Sequence, residues 1–472
     1  MDLQNVTFRR LFSQTFYKNL KLPLGEMTFT KDFIHDQRGD LYPVLRKSSD
    51  CLEAIENNTY KVRQGEAQRM FCGFFPYATY EITFSLSAGS CGFGFCLPNA
   101  QAHIRYDGQN VRFSTGDQEE TVLYRSTGPR ETMIISCRPG LFEVYFLRNG
   151  QPMHLHTFRS PLFSDSHLEE NFRQGYVSLT ASCFAHIFSV SSYIDCGVSQ
   201  ADIRPIRYEN GEIMVESGKV YLSLSIRSQE SGFQGIFSWV PGTAKFELTG
   251  ALFYDCGDGK WCGDVAASIL FNRRTSQWYL WVCAFSHGHI LGHARFKGDP
   301  RFGVNVVDIT LMPKAGSQDI REFAGFEGDE DPDFYYNETE NKWYMAICRL
   351  DPSVHGYRYL FFRSQDPFAG YEYIGQGLDG AETGGSFVTF DDEKVFACGN
   401  DFNKRANYRM YSKDGMREAK FDFDDGGFRG WGTIIPVELG SRKRYFWLTF
   451  DRHKGSDWNW SYGNLYCFEA IG

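Results

Sequence analysis

Residues 327–349 read EGDEDPDFYYNETENKWYMAICR. Four acids, Glu327, Asp329, Glu330 and Asp331, crowd in front of Pro332, and an aromatic run follows. A carboxylate at a strand opening does acid–base chemistry only in company, when one carboxyl holds a proton while another stays ionised. Alone it reads as a turn residue. The pattern recurs. Asp202 opens ADIRPIRY, Asp264 opens GDVAASILF and Glu382 opens AETGGSFVTF, while a fifth opening, GWGTIIPV, carries no acid.

These acids must be positioned by the elements around them, and those elements repeat. GKVYLSLSI, SQWYLWVCAF, NKWYMAICRL, EKVFACGND and KRYFWLTFD share an aromatic at Tyr221, Tyr279, Tyr344, Phe396 and Phe446. The gaps of 58, 65, 52 and 50 residues predict a five-bladed β-propeller over residues 199–472. The innermost strands of such a fold run the same way around one axis, so their openings meet in a funnel. Like charges gathered there raise one another's pKa values, a cost that an active site explains. Asp264 and Glu382 each stand four residues before a serine, Ser268 and Ser386, which places them at equivalent heights in blades two and four.

Residues 1–198 differ in texture. YEITFSL, GFGFCL, HIRYDGQNVRFS, TMIISC, LFEVYFLRNGQPM and GYVSLTA are short alternating runs with Asp-Gly and Asn-Gly turns. They predict a β-sandwich. Its aromatics Phe93, Phe95, Tyr145 and Phe146 fall in strand alternation and are expected to fill its own core. The whole chain therefore reads as all-β, a sandwich followed by a propeller. Its net charge of −9 argues against nucleic acid or an anionic membrane as partner. No run is long and apolar enough for a membrane span, and the first twenty residues lack the pattern of a signal peptide. The 13 cysteines are odd in number and lie in apolar runs, which suits free thiols in a reducing cytoplasm.

The stretches VYFLRNGQPM and GYVSLTAS resemble the laminin-G or concanavalin-like sandwich. EDPDFYYNETENKWYM resembles the Asp-Pro strand of the five-bladed propeller glycosidases, the clan that includes glycoside hydrolase families 32 and 43. That resemblance implies Asp331 as transition-state stabiliser and Glu382 as general acid, although the usual Glu-Gly-Pro or Glu-Cys-Pro is absent. It also implies a first-blade Asp as base or nucleophile. Setting RPIRYENG against the Asp-Pro strand puts Arg204 in that place, with Asp202 two residues earlier. Asp264 is then expected as base or nucleophile, with Asp202 second.

Arg204, His287, Arg349 and Trp431 are the expected substrate-binding residues. The two arginines could clamp a carboxylate on an acidic sugar, and the indole could stack on a sugar face. His287, His289 and His293 in FSHGHILGH have no acid ligand spaced with them, so no metal and no cofactor is expected. The implied function is that of a cytoplasmic glycoside hydrolase acting on a small oligosaccharide or glycoside. A non-catalytic carbohydrate-binding propeller, and a phosphorylase or transglycosidase, stay open beside it.

Overall fold

The computed structural model describes residues 6–24, 52–54, 60–62, 66–116, 118–126, 128–182, 185–312, 328–351, 356–378, 382–390, 392–400, 407–421, 432–439, 442–452 and 462–471. Strands dominate throughout, as the period-2 alternation predicts. Among the described residues no helix is long and apolar enough to cross a membrane. The chain divides into two compact units: residues 21–195 with 258–261, and residues 1–20, 196–257 and 262–472.

The first unit holds two antiparallel sheets. One orders Gln118–Leu123, Asn110–Thr115, Ala100–Tyr106, Cys91–Leu97, Tyr176–Ser182 and Glu66–Gly73. The other is built around Gln151–Arg159, Leu141–Arg148, Glu131–Arg138, Thr79–Leu86 and Ala185–Asp195. The Asn149-Gly150 turn has φ of 51° and 77°, the left-handed pair that a tight hairpin requires. The sheets pack face to face through aromatic rings. Tyr80 of one lies 5.5 Å from Phe95 of the other, and Phe113 lies 5.7 Å from Phe142. Phe93, Phe95, Tyr145 and Phe146 are all buried, as expected.

The second unit is the propeller. Its inner strands are Ser199–Pro205, Val265–Asn272, Asp329–Asn337, Glu382–Phe390 and Thr433–Leu439. They adjoin in that cyclic order, and the fifth returns to the first. The repeated aromatic falls in the second strand of every blade: Lys219–Arg227, Gln277–Ala284, Lys342–Asp351, Glu393–Asn400 and Arg442–Arg452. Apolar side chains fill the space between blades. Leu270, Trp281, Phe334 and Met345, for example, form one buried cluster across blades two and three.

Residues 1–198 were expected to form the sandwich alone, and the first strand departs from that range. Thr7–Gln14 pairs antiparallel with Tyr462–Ile471, from Thr7 opposite Ile471 to Gln14 opposite Leu465. It thereby completes the fifth blade. On its other side it runs parallel to the outer strand of the fourth, with Phe8 opposite Phe421. An unpaired blade edge would expose a row of backbone donors and acceptors, and the N-terminal strand covers it. Phe8 is wholly buried, 5.0 Å from Phe421 and 5.4 Å from Trp447.

Candidate active site

Four of the five inner strands lose register at the same point. The pairing skips from Ala201 to Arg204, Val265 to Ser268, Glu330 to Asp333 and Thr383 to Ser386. Each skip contains a left-handed residue: Asp202 at φ 52°, Ala266 at 60°, Asp331 at 47° and Gly384 at 62°. A β-bulge of this kind re-aims the side chains at the end of a strand. Only glycine takes this conformation freely, and the other three residues bear a cost of about 1 kcal/mol or more each.

The shared bulge fixes which residues are equivalent. Asp202 occupies in blade one the place of Asp331 in blade three. Arg204 was expected to stand in that place; it stands instead where Asp333 does, at the first paired residue after the bulge. Asp264, Asp329 and Glu382 each precede the left-handed residue by two positions, so the common height of Asp264 and Glu382 follows from the same bulge.

Asp202, Arg204, Asp331 and Asp333 form the central group. Asp331 Oδ2 accepts hydrogen bonds from Thr383 Oγ1 at 2.7 Å and from the Gly384 amide at 2.9 Å. Its Oδ1 lies 3.8 Å from Arg204 Nη2. Burial and the nearby negative charge of Asp331 push the Asp202 carboxyl up to about 6, against the opposing pull of Arg227, whose Nη2 is 3.7 Å away. Arg204 is 1% exposed. It donates through Nη1 to the Gly385 carbonyl and lies 3.9 Å from Asp333 Oδ1. Its guanidinium is thus turned to the acids and backbone of blades three and four rather than to solvent. Asp333, which nothing local in the sequence singles out, accepts from Arg207, from Ser268 Oγ at 2.6 Å and from the Phe387 amide at 2.6 Å.

The other candidates lie apart from this group in their contacts. Glu382 is fully buried; Oε1 accepts from Arg409 Nη1 at 2.7 Å and from the Tyr411 hydroxyl, while Oε2 has no hydrogen-bond partner among the described residues. Burial raises its pKa, whereas Asp331 was the expected cause. Gly377 leaves room for it, since a Cβ there would stand 2.1 Å from Oε2. Asp264 accepts from the Ser286 amide at 2.9 Å and the Ser286 hydroxyl at 2.7 Å, and burial raises its pKa too. Ser286 Oγ also meets His287 Nδ1 at 2.8 Å. Arg349 forms a two-pronged ion pair with Asp329, at 2.6 and 3.0 Å, across its own hairpin. His289 is 2.7 Å from Glu330, and His293 stacks on Phe368. Trp431 lies outside the described residues. The crowded acids before Pro332 are therefore shared out: Asp329 to Arg349, Glu330 to His289 and Tyr357, and Asp331 to Thr383 and Gly384. Glu327 lies outside the described residues. Arg207, Arg409, Tyr411 and Ser286 went unnoticed in the sequence because nothing local marks a partner so far along the chain.

Fold and site together define an all-β protein whose propeller carries buried carboxylates at the bulged openings of its inner strands. No protein-family model matches the chain, and no curated protein matches it. Solved structures do. One is a family 43 β-1,3-galactosidase with galactodeoxynojirimycin, 9% identical, covering 56% of this chain and 90% of that one with a TM-score of 0.38. Another is an exo-β-1,3-galactanase from Clostridium thermocellum, 9% identical over 57% of this chain and 63% of that one, TM-score 0.39. A third is a family 117 glycoside hydrolase from Zobellia galactanivorans, 14% identical over 58% and 84%, TM-score 0.39.

Proposed function

We propose that the propeller hydrolyses glycosidic bonds, with Asp202, Asp331 and Glu382 as its catalytic acids. The observation that carries this reading is the pairing of Asp202 with Asp331. Two carboxyls at equivalent bulges interact: burial and the charge of Asp331 raise Asp202 to about 6, where a carboxylate is still ionised near neutral pH yet more basic than usual, while Asp331 accepts two hydrogen bonds. Glycoside cleavage needs such unequal carboxyls. In this scheme Glu382 protonates the leaving oxygen, Asp202 activates water or attacks the sugar carbon, and Asp331 balances the positive charge that develops there. Asp202 replaces Asp264 as base or nucleophile, because the bulge supplies the local shift that brings Asp202 into register with Asp331. Arg204 serves to neutralise the acids. The substrate is a small oligosaccharide or glycoside, and the setting is cytoplasmic, in keeping with eleven described cysteines that carry no disulfide.

A screen of aryl glycosides and oligosaccharides with Glu382→Gln tests the reading. Removing the proton donor should slow substrates with poor leaving groups by about 10²–10⁴-fold. Unchanged turnover would refute the assignment. A non-catalytic sugar-binding propeller is the second reading, favoured by the full burial of Glu382 against Arg409. Sugar binding without product release, unaffected by Asp331→Asn, would establish it.

A further inference from the structure

The connection from blade one to blade two and the turn after the second strand of blade two bring together four side chains that the hydrolytic scheme does not use. Cys256 follows Phe246–Asp255, the fourth strand of blade one. Cys262 returns to it, pairing with Tyr254 in an isolated bridge. Asp264 opens the next inner strand, and His287 ends the short turn Phe285–His287. One ligand atom each from Cys262, Asp264 and His287 lies within 4.8 Å of the others. Cys256 Sγ lies 3.5 Å from His287 Nδ1.

We propose that Cys256, Cys262, Asp264 and His287 bind one thiophilic divalent cation, zinc above all. Two thiolates, an imidazole and a carboxylate make a four-coordinate donor set of the kind zinc takes. With Zn–S near 2.3 Å and Zn–N near 2.0–2.1 Å, two such donors on one tetrahedral ion stand roughly 3.6 Å apart. The Cys256–His287 separation of 3.5 Å already matches that edge. The three-residue cluster has to draw in by about 1 Å, and Cys256, which stands outside it beside His287, has to close on Cys262 and Asp264 as well. Ser286 donates to both oxygens of Asp264 and the Phe285 backbone adds a third hydrogen bond, which leaves an ionised carboxylate, with about four lone-pair sites, capacity for an ion. Ser286 holds the Asp264 carboxylate from both sides, the task of an outer-shell group in metal sites, and its hydroxyl gives up His287 Nδ1 when that nitrogen takes the ion. Binding requires both thiols as thiolates, and their two protons pass to solvent. The sequence hid this set because the acid ligand reaches His287 from 23 residues upstream rather than from within the histidine cluster. The inference stands independently of the glycosidase reading.

The test uses the full-length protein, reduced and stripped with a chelator, and titrated with Co²⁺ alone. The expected result is uptake of one equivalent, with a thiolate-to-cobalt absorption band and the visible bands of a tetrahedral ion, both bleached by Zn²⁺. Cys262→Ser and His287→Ala should abolish stoichiometric uptake, and Ser286→Ala should weaken it about 10–100-fold. Cys262 is buried, so circular dichroism must first show that its variant folds. Cys256→Ser, at a partly exposed position, provides the safer variant and should lose about half of the thiolate band, since one of two thiolates remains. Failure of the unaltered protein to take up a stoichiometric ion overturns the proposal. So does a thiolate band that is unchanged in folded Cys256→Ser and Cys262→Ser proteins.

Discussion

Asp202 and Asp331 are the same position of two different blades. Each is left-handed, at φ 52° and 47°, and each sits at the bulge of its inner strand, Asp331 Oδ1 3.8 Å from Arg204 and Asp202 Oδ2 3.7 Å from Arg227. The left-handed backbone costs each aspartate about 1 kcal/mol or more, and it sets each carboxyl beside a guanidinium, Arg204 for Asp331 and Arg227 for Asp202. Replacing either by Asn keeps the shape and removes a charge. Asp202→Asn and Asp331→Asn should each lower kcat/KM for a glycoside by 10²-fold or more, about 3 kcal/mol or more of transition-state stabilisation. Steady-state kinetics on an aryl glycoside checks this. Loss confined to Asp331→Asn would leave Asp202 a structural partner.

The pH dependence of stability follows from Asp202. Its carboxyl rises from the usual 3.8 to about 6 in the fold, so between those values the native state binds more protons than the unfolded chain. Stability contributed by this group is present below about pH 4 and is lost as pH rises through 6. Asp202→Asn should therefore be more stable than the parent at pH 7–8, by on the order of 2–3 kcal/mol at most, with no advantage at pH 4. Urea unfolding across this range measures it. A parent-like slope in the variant would show that Asp202 is not the group responsible.

Arg204 is buried among the acids of blade three, and its loss leaves them uncompensated. Arg204→Met should destabilise the protein by about 3–5 kcal/mol, the cost of breaking a buried ion pair. It should also move the acidic limb of the pH–rate profile upward, since Arg204 lowers the pKa of Asp202. A selective rise in KM for a uronic-type glycoside, with stability unchanged, would instead make Arg204 a reader of substrate carboxylates.

Gly377 presses close to Glu382 Oε2. Gly377→Ala should force the carboxyl from its place and reduce kcat on substrates with poor leaving groups, by about tenfold or more, while activated aryl substrates suffer less. Equal loss on both substrate types would point to a general packing defect.

The N-terminal strand should hold the propeller closed. Phe8→Ala removes a ring that is fully buried against Phe421 and Trp447, and should cost about 3–5 kcal/mol. Arg9→Ala, on the exposed side of the same strand, should change stability by less than about 0.5 kcal/mol. Chemical unfolding of the two variants separates the roles, and similar stabilities would argue against closure by this strand.

The amino-acid sequence by itself determined the strands, their grouping into two β-rich parts and the fivefold spacing of Tyr221, Tyr279, Tyr344, Phe396 and Phe446. These are local properties: alternation, turn residues and a period set by one blade's length. It also placed acids at four inner-strand openings. Only the tertiary structure decided what each acid does. The bulges that align Asp202 with Asp331 are backbone conformations with no fixed residue signature, since Asp, Ala and Gly all occupy them. The partners of Glu382 and Asp329 come from other strands and that of Asp264 from the turn Phe285–His287, so burial and pairing depend on register rather than on neighbours in the chain. Thr7–Gln14 joins the last blade for the same reason. Its alternation says that it is a strand, but which edge it covers is settled by the free hydrogen-bonding groups that ring closure leaves at Tyr462–Ile471.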